Sequence, residues 1–194
     1  MPEEQHGCLQ GKGIHTALIP NLAAVEANLS NSDQAEDYRF VGGADLSKAF
    51  DRLAWQYSTA AMQRMAIPAG INNAIAAAWR QRQRWITTAN YVSDRPYSAQ
   101  CLSQGDSASP IGLLAIMSEA YRRIRAAHPQ DQHGPQRHSI FVDDRFWITA
   151  RASTCVTLAR AWQQATAQLN LGENASKADF NAFGHKSNVA ALQD

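Results

Sequence analysis

Little in these 194 residues points to a secreted or membrane-bound protein. Only three cysteines are present, Cys8, Cys101 and Cys155. Odd in number and far apart, they fit neither a disulfide framework nor a paired-cysteine metal site. No apolar run approaches the roughly 18–20 residues needed to cross a bilayer. The opening MPEEQHGC lacks the basic region and apolar stretch of a secretion signal. A soluble, intracellular protein without a membrane partner is expected, in nucleus or cytoplasm.

A charge surplus is also missing. Eighteen Lys and Arg face 17 Asp and Glu, for a net charge of +1. Proteins that grip a nucleic-acid duplex usually carry a basic excess, so overall charge gives such a reading no support. Positive charge is local instead: Arg80, Arg82 and Arg84 between Trp79 and Trp85, and Arg122, Arg123 and Arg125. Solvated helix faces would account for both groups. What the chain does have is core-forming material. A 45% hydrophobic and 8% aromatic content is that of a folded chain, and the length suits one domain.

Patterning along the chain predicts alternating elements. A helical stretch over 14–29 should end or kink at Pro20, followed by a polar loop over 30–37. Residues 38–46 (YRFVGGADL) read as a strand that Gly42 and Gly43 weaken. Trp55, Met62 and Met65 recur at helical spacing over 53–66, and IPAG at 67–70 ends that run. An Ala-rich helix is expected over 71–84. Segments 85–92 and 97–102 lean toward strand, with Asp94 to Pro96 as the turn between them. Ser109 can cap a helix whose first residue is Pro110 and which runs to Ala127. After a loop over 128–137, residues 138–150 read as two strands meeting at Asp143–Asp144. Val156, Ala159, Trp162, Thr166 and Leu169 mark a helix ended by Gly172, and a last strand lies near 178–183. The predicted class is α+β, a mixed, largely antiparallel sheet with helices on one face.

Four segments carry chemistry. FVDDRFW (141–147) sets two aspartates side by side between apolar strands, with no Gly or Asn to ease a tight turn. Adjacent carboxylates on a rigid hairpin repel unless a cation neutralises them, and Mg²⁺ accepts one or two carboxylates while keeping water and phosphate. Read alone, the dipeptide is an ordinary polar turn. ADLSKAFDR (44–52) ends an apolar strand on Asp45, which alone would be a simple cap. Asp45 together with the Asp143–Asp144 pair suits a two-metal site, where ions roughly 4 Å apart need carboxylates from separate strands. QGDSASP (104–110) combines small residues with a helix start, suiting close backbone approach to a ligand or a tight turn. Lys177, in LGENASKADFNAFG (171–184), is by itself a solvated loop lysine.

Taken in order, these segments resemble the motif series of reverse transcriptases, and most closely the non-LTR, LINE-type class. EQHGCLQGKGIHTAL (4–18) is similar to that class's Q-x-G-F…G-R segment through Gln5, Gly7 and Gly11, with Cys8 replacing the aromatic and Lys12 the arginine. ADLSKAFD matches the first catalytic motif almost letter for letter, QGDSASP resembles Q-G-x-x-x-S-P, FVDDR stands at the aromatic-x-Asp-Asp hairpin, and NASK (174–177) resembles N-x-S-K. The resemblance runs from about residue 4 to 184.

The resemblance implies a right-hand polymerase palm over 38–184. It implies a remnant of fingers over 1–37, a tail over 185–194, incomplete fingers and no thumb. It implies that Asp45 and Asp143 bind two Mg²⁺ ions (Mn²⁺ as substitute) with the Leu46 carbonyl as a further ligand, and that Asp144 supports the site. Phe50 would be a steric gate against a ribose 2′-OH, Gln104 and Gly105 would contact the incoming nucleotide, and Lys177 would lie near its triphosphate. RNA template, DNA primer and dNTPs are the implied partners, and the implied activity is RNA-directed DNA polymerisation. A catalytically inactive remnant that at most binds nucleic acid is the alternative. A nuclease would leave Phe50 and QGDSASP without a job, and an RNA polymerase is disfavoured by the bulk of Phe50. Arg145, where many relatives carry an apolar residue, would tune or compete with metal binding.

Overall fold

The computed structural model describes residues 2–30, 39–98, 100–129 and 136–183. Most of the expected 30–37 and 128–137 loops and all of the 185–194 tail lie outside these residues. At the centre is a four-stranded antiparallel sheet in the order β10-β1-β8-β7. Its strands are β1 (Arg39–Ala44), β7 (Gln136–Phe141), β8 (Asp144–Thr149) and β10 (Asp179–Phe183). The two expected strands at 138–150 therefore pair as a hairpin, and the strand around Asp45 is their neighbour, with Ala44 opposite Arg145.

Gly42 and Gly43 sit mid-strand, where glycine should weaken pairing. Gly42 has a packing reason. A Cβ there would lie 2.3 Å from Cε2 of Trp147, a buried ring directly opposite in the ladder. The sheet closes because nothing protrudes at position 42.

Beneath this face lies a helical layer. α5 (Ser109–Ala127) buries 11 of its 19 residues and so forms its hub. α2 (Ala49–Arg52), α3 (Trp55–Arg64), α4 (Ala69–Arg80) and α6 (Ala152–Ala167) gather around α5 and the sheet. Gly112 lets α5 approach α3 and α4: a Cβ on it would meet Trp79 Cη2 at 2.8 Å and Ser58 Cβ at 3.0 Å. Tyr121 of α5 contacts His138 of β7 on the sheet. Burial lowers the His138 pKa to about 4, with smaller opposing effects of Glu4 (upward) and Arg125 (downward).

Several boundaries differ from expectation, each for a local reason. α1 (Ile14–Ser30) continues through Pro20, and the side-chain Nδ2 of Asn21 donates to the Ala17 carbonyl at 2.7 Å. The second helix runs over Ala69–Arg80 rather than 71–84. Segment 85–92 is not one strand: it doubles back, β4 (Thr87–Thr88) pairing β5 (Tyr91–Val92). The flanking β3 (Gln83–Arg84) pairs β6 (Tyr97–Ser98), so Asp94–Pro96 is not the hairpin tip. α6 stops at Ala167, before Asn170 at φ 59°, so asparagine supplies the left-handed exit expected of Gly172. Gly172 instead enters β9 (Gly172–Glu173), which pairs β2 (Leu46–Ser47). Pro110 is the second helical residue, and Ser109 is the first rather than the cap.

Candidate active site

Side chains alternate across a strand, and the register fixes which residues share a face. Gly43 opposes Phe146, and Phe141 opposes Asp144. Asp45 follows β1 directly, so its carboxylate and that of Asp144 belong to the same sheet end. Both line a cavity of about 560 Å³ between the sheet and α1, together with Gly43, Phe146 and Lys177. Asp45 is buried and Asp144 exposed. The negative charge of Asp45 is close enough to disfavour ionisation of Asp144.

The turn that carries the acidic pair is strained. Val142 holds φ at 61°, a left-handed conformation that a β-branched residue rarely adopts. Gly7 braces it. A Cβ on Gly7 would stand 2.6 Å from both the backbone nitrogen and Cγ2 of Val142. The preceding residues run as an extra edge beside β7: His6 N–H donates to the Ile140 carbonyl at 2.8 Å, and Ile140 N–H to that of Glu4 at 2.8 Å. Fully buried Gln5 accepts the N–H groups of His6 and Gly7 on Oε1, and Lys12 Nζ donates to the carbonyls of Glu3 and Gln5. The N-terminal motif is thus a scaffold for the Asp143–Asp144 turn.

Electrostatically the site is under-neutralised. Burial raises the Asp143 pKa, and the charges of Asp45 and Asp144 push it further. Burial likewise raises that of Asp144, again with Asp45 adding to it, while Lys177 and Arg145 oppose. Lys177 pairs directly with the site, Nζ to Asp45 Oδ2 at 2.6 Å, and that hydrogen bond raises its own pKa. The 174–177 segment is tied down as well, since Asn174 N–H donates to the Asp45 carbonyl at 2.9 Å.

The structure thus assembles Asp45, Asp144 and Lys177 at one cavity, with Asp143 half-buried in the adjoining turn. Leu46 is buried next to Asp45. Phe50, Gln104 and Gly105 do not line this cavity. Phe50 packs partly buried against the helical core, and Gln104 and Gly105 form an exposed turn with Gly105 at φ 87°. Within QGDSASP the organising residue is one that sequence reasoning passed over. Asp106 accepts Trp79 Nε1 at 2.8 Å, Ser109 Oγ at 2.9 Å and Ala108 N–H at 3.4 Å on its carboxylate, and pairs with Arg82 at 3.0 Å. Burial alone would raise its pKa, yet these bonds bring it from 3.8 to about 2. An acidic residue three before a helical serine is the signal that was available.

Among the described residues, no group of three or more His, Cys, Asp or Glu side chains is arranged to hold a metal ion. Mg²⁺ does not require such a cage, since one or two carboxylates with water and phosphate suffice. The Asp45–Asp144 pair, two hard oxygen donors short of positive charge, fits that demand.

The fold has counterparts among solved structures. Apo telomerase from Candida tropicalis, truncated of its C-terminal domain, superposes with a TM-score of 0.66 at 12% identity, covering 95% of this chain and 37% of that one. Telomerase from the same organism in complex with the TWJ fragment of telomeric RNA gives 0.69 at 11%, covering 95% and 31%. The Candida albicans telomerase complex with that fragment gives 0.58 at 9%, again covering 95% and 31%. This chain therefore spans about a third of the telomerase chains that it matches. No curated protein matches it. By fold, then, the chain is similar to the palm region of these telomerases. The residue pattern of the family Reverse transcriptase (RNA-dependent DNA polymerase) matches residues 1–189. The chain belongs to that family.

Proposed function

We propose that this chain is the catalytic palm of an RNA-directed DNA polymerase of a LINE-type retroelement, adding dNTPs to a DNA primer on an RNA template. The observation that carries the reading is the convergence of Asp45 and Asp144 at one end of adjacent strands, with Lys177 beside them. Supporting the retroelement class is the order of five motif-like segments, ADLSKAFD above all. Residues 38–184 would be the palm, and 1–37 the connection to the fingers.

Asp45 and Asp143, helped by Asp144 and the Leu46 carbonyl, would hold two divalent cations, Mg²⁺ or Mn²⁺. Such cations supply charge stabilisation for the attacking and leaving oxygens of an in-line phosphoryl transfer. Antiparallel pairs alternate between bonded and non-bonded. Because Asp45 receives the Asn174 N–H, Leu46 opposite Glu173 is a non-bonded pair, which favours a carbonyl free for a ligand. The primer 3′-OH attacks the α-phosphate and pyrophosphate leaves, with positioning and electrostatics as the protein's contribution. Lys177, once turned from Asp45 toward the triphosphate, would help to protonate the leaving pyrophosphate. Phe50, Gln104 and Gly105 would have to approach this site when nucleotide binds.

The second reading, a non-catalytic remnant that binds nucleic acid, draws on the Lys177–Asp45 pair, which occupies the central carboxylate. Primer extension separates the two. Fused to the fingers and thumb of a related polymerase, the chain should incorporate dNTPs on an RNA template, and Asp45→Asn or Asp143→Asn should abolish incorporation. Template binding without incorporation in Mg²⁺ or Mn²⁺ would favour the remnant.

A further inference from the structure

Arg145 directly follows the acidic pair, and a cation there would tune the metal site or compete with it. Its guanidinium is engaged on the other face of the sheet. By strand alternation its side chain leaves β8 on the face opposite Asp144, and it is 1% exposed. There both arms of the guanidinium hold Glu173: Nη1 to Oε1 at 2.7 Å and Nη2 to Oε2 at 2.5 Å. The Trp162 ring centroid lies 5.2 Å from its Cζ, and Thr166 Oγ1 donates to Glu173 Oε1 at 2.9 Å.

Glu173 is the cross-strand partner of Leu46. The next residue, Asn174, donates its N–H to the Asp45 carbonyl, and its own carbonyl accepts the Lys177 N–H, each at 2.9 Å. One ion pair therefore joins the strand that starts at Asp144 to the segment closed over Asp45. Stability alone is a poor reason to bury it. A buried ion pair roughly breaks even against apolar residues of the same volume. Here Arg145 Nε and Trp162 Nε1, both buried, also lack partners, a further cost. What a two-armed pair supplies is fixed distance and angle.

We propose that Arg145 and Glu173 are a positioning pair. They set the separation between the Asp143–Asp144 turn and the 173–177 segment, and so determine how Asp45 is presented to a divalent cation. The cation part rests on the polymerase reading above; the mechanical coupling of β8 to residues 173–177 does not.

The test uses the Arg145→Met/Glu173→Met double variant of the whole chain, compared with wild type by thermal melting, amide hydrogen exchange and Mn²⁺ binding followed by electron paramagnetic resonance. The double variant should melt close to wild type. The Asn174 and Lys177 amides should exchange about tenfold faster while those of α5 keep their protection. Mn²⁺ affinity should fall about tenfold, as when second-layer partners of metal ligands are removed. Unchanged exchange at Asn174 and Lys177 in a folded double variant would reduce the pair to packing and overturn the proposal. If wild type binds no Mn²⁺, the polymerase reading fails, and exchange alone decides the coupling. Should the double variant not fold, Glu173→Gln keeps the shape and one acceptor. It should show the same local loss of protection to a smaller degree, and unchanged protection there would equally overturn the proposal. Arg145→Lys, a point charge without the fork, should behave like the loss variants.

Discussion

Replacing Asp106 with Asn tests whether the QGDSASP turn is built as described. The carboxylate gathers a tryptophan N–H, an arginine, a serine hydroxyl and a backbone N–H, and its side chain is 18% exposed. Its pKa of about 2 against 3.8 corresponds to about 2 kcal/mol at neutral pH, since one unit is about 1.4 kcal/mol. The sign follows from the depressed value: the stabilisation is complete above the unfolded pKa and is lost as pH falls through the folded one. About half of it should remain at pH 3. The asparagine keeps one acceptor oxygen, so the loss at pH 7 should be of this order rather than the larger cost of orphaning buried Trp79 Nε1. Urea unfolding of wild type and Asp106→Asn at pH 7 and pH 3 measures it, and other titrating groups cancel in the difference. A difference of the same size at both pH values would refute the argument that the carboxylate's charge does this work.

Three further outcomes follow from packing and charge. Gly42→Ala should destabilise by about 1–3 kcal/mol in thermal melts, because its methyl meets the buried Trp147 ring. Gly43→Ala, which meets nothing within 4 Å, should be nearly neutral, and equal losses for the pair would remove the packing explanation. Gly7→Ala should displace the Asp143–Asp144 turn and weaken Mn²⁺ binding, readable by calorimetric titration, and unchanged binding would deny Gly7 its bracing role. Asp143 and Asp144 hold protons more firmly folded than unfolded, so their contribution favours folding at low pH and is lost as pH rises through the folded values. Asp144→Asn should therefore raise the melting temperature at pH 7 but not at pH 3, and added Mn²⁺ should narrow the gap by stabilising wild type. A variant that melts lower at pH 7 would contradict the repulsion.

Much of this was legible in the sequence because periodicity and motif order are one-dimensional signals. The α5 helix, the 138–150 hairpin and the neighbouring strand ending at Asp45 all follow from local pattern. Their convergence follows from requiring both strands in one sheet. What stayed hidden depends on partners distant in the chain. Gly42 reads as a strand breaker until Trp147 is known to lie across from it. Arg145 reads as a cation in the metal site until strand alternation turns it toward Glu173. The tip of the 83–98 ribbon was misplaced because Asp94–Pro96 carries the stronger turn chemistry, yet the pairing of Thr87 with Val92 folds the chain at 89–90. Gln5 and Gly7 stand in the sequence as motif matches without a role, and in the fold Gly7 packs behind the strained Val142.

The central claim is that Asp45 and the Asp143–Asp144 turn together hold a divalent cation. Anomalous diffraction from crystals of the chain grown with Mn²⁺ tests this most directly. The account predicts a peak coordinated by Asp45 and at least one of the two turn aspartates, with Lys177 Nζ withdrawn from Asp45 Oδ2. Crystals saturated with Mn²⁺ that show no peak there, and Lys177 still paired with Asp45, would contradict it.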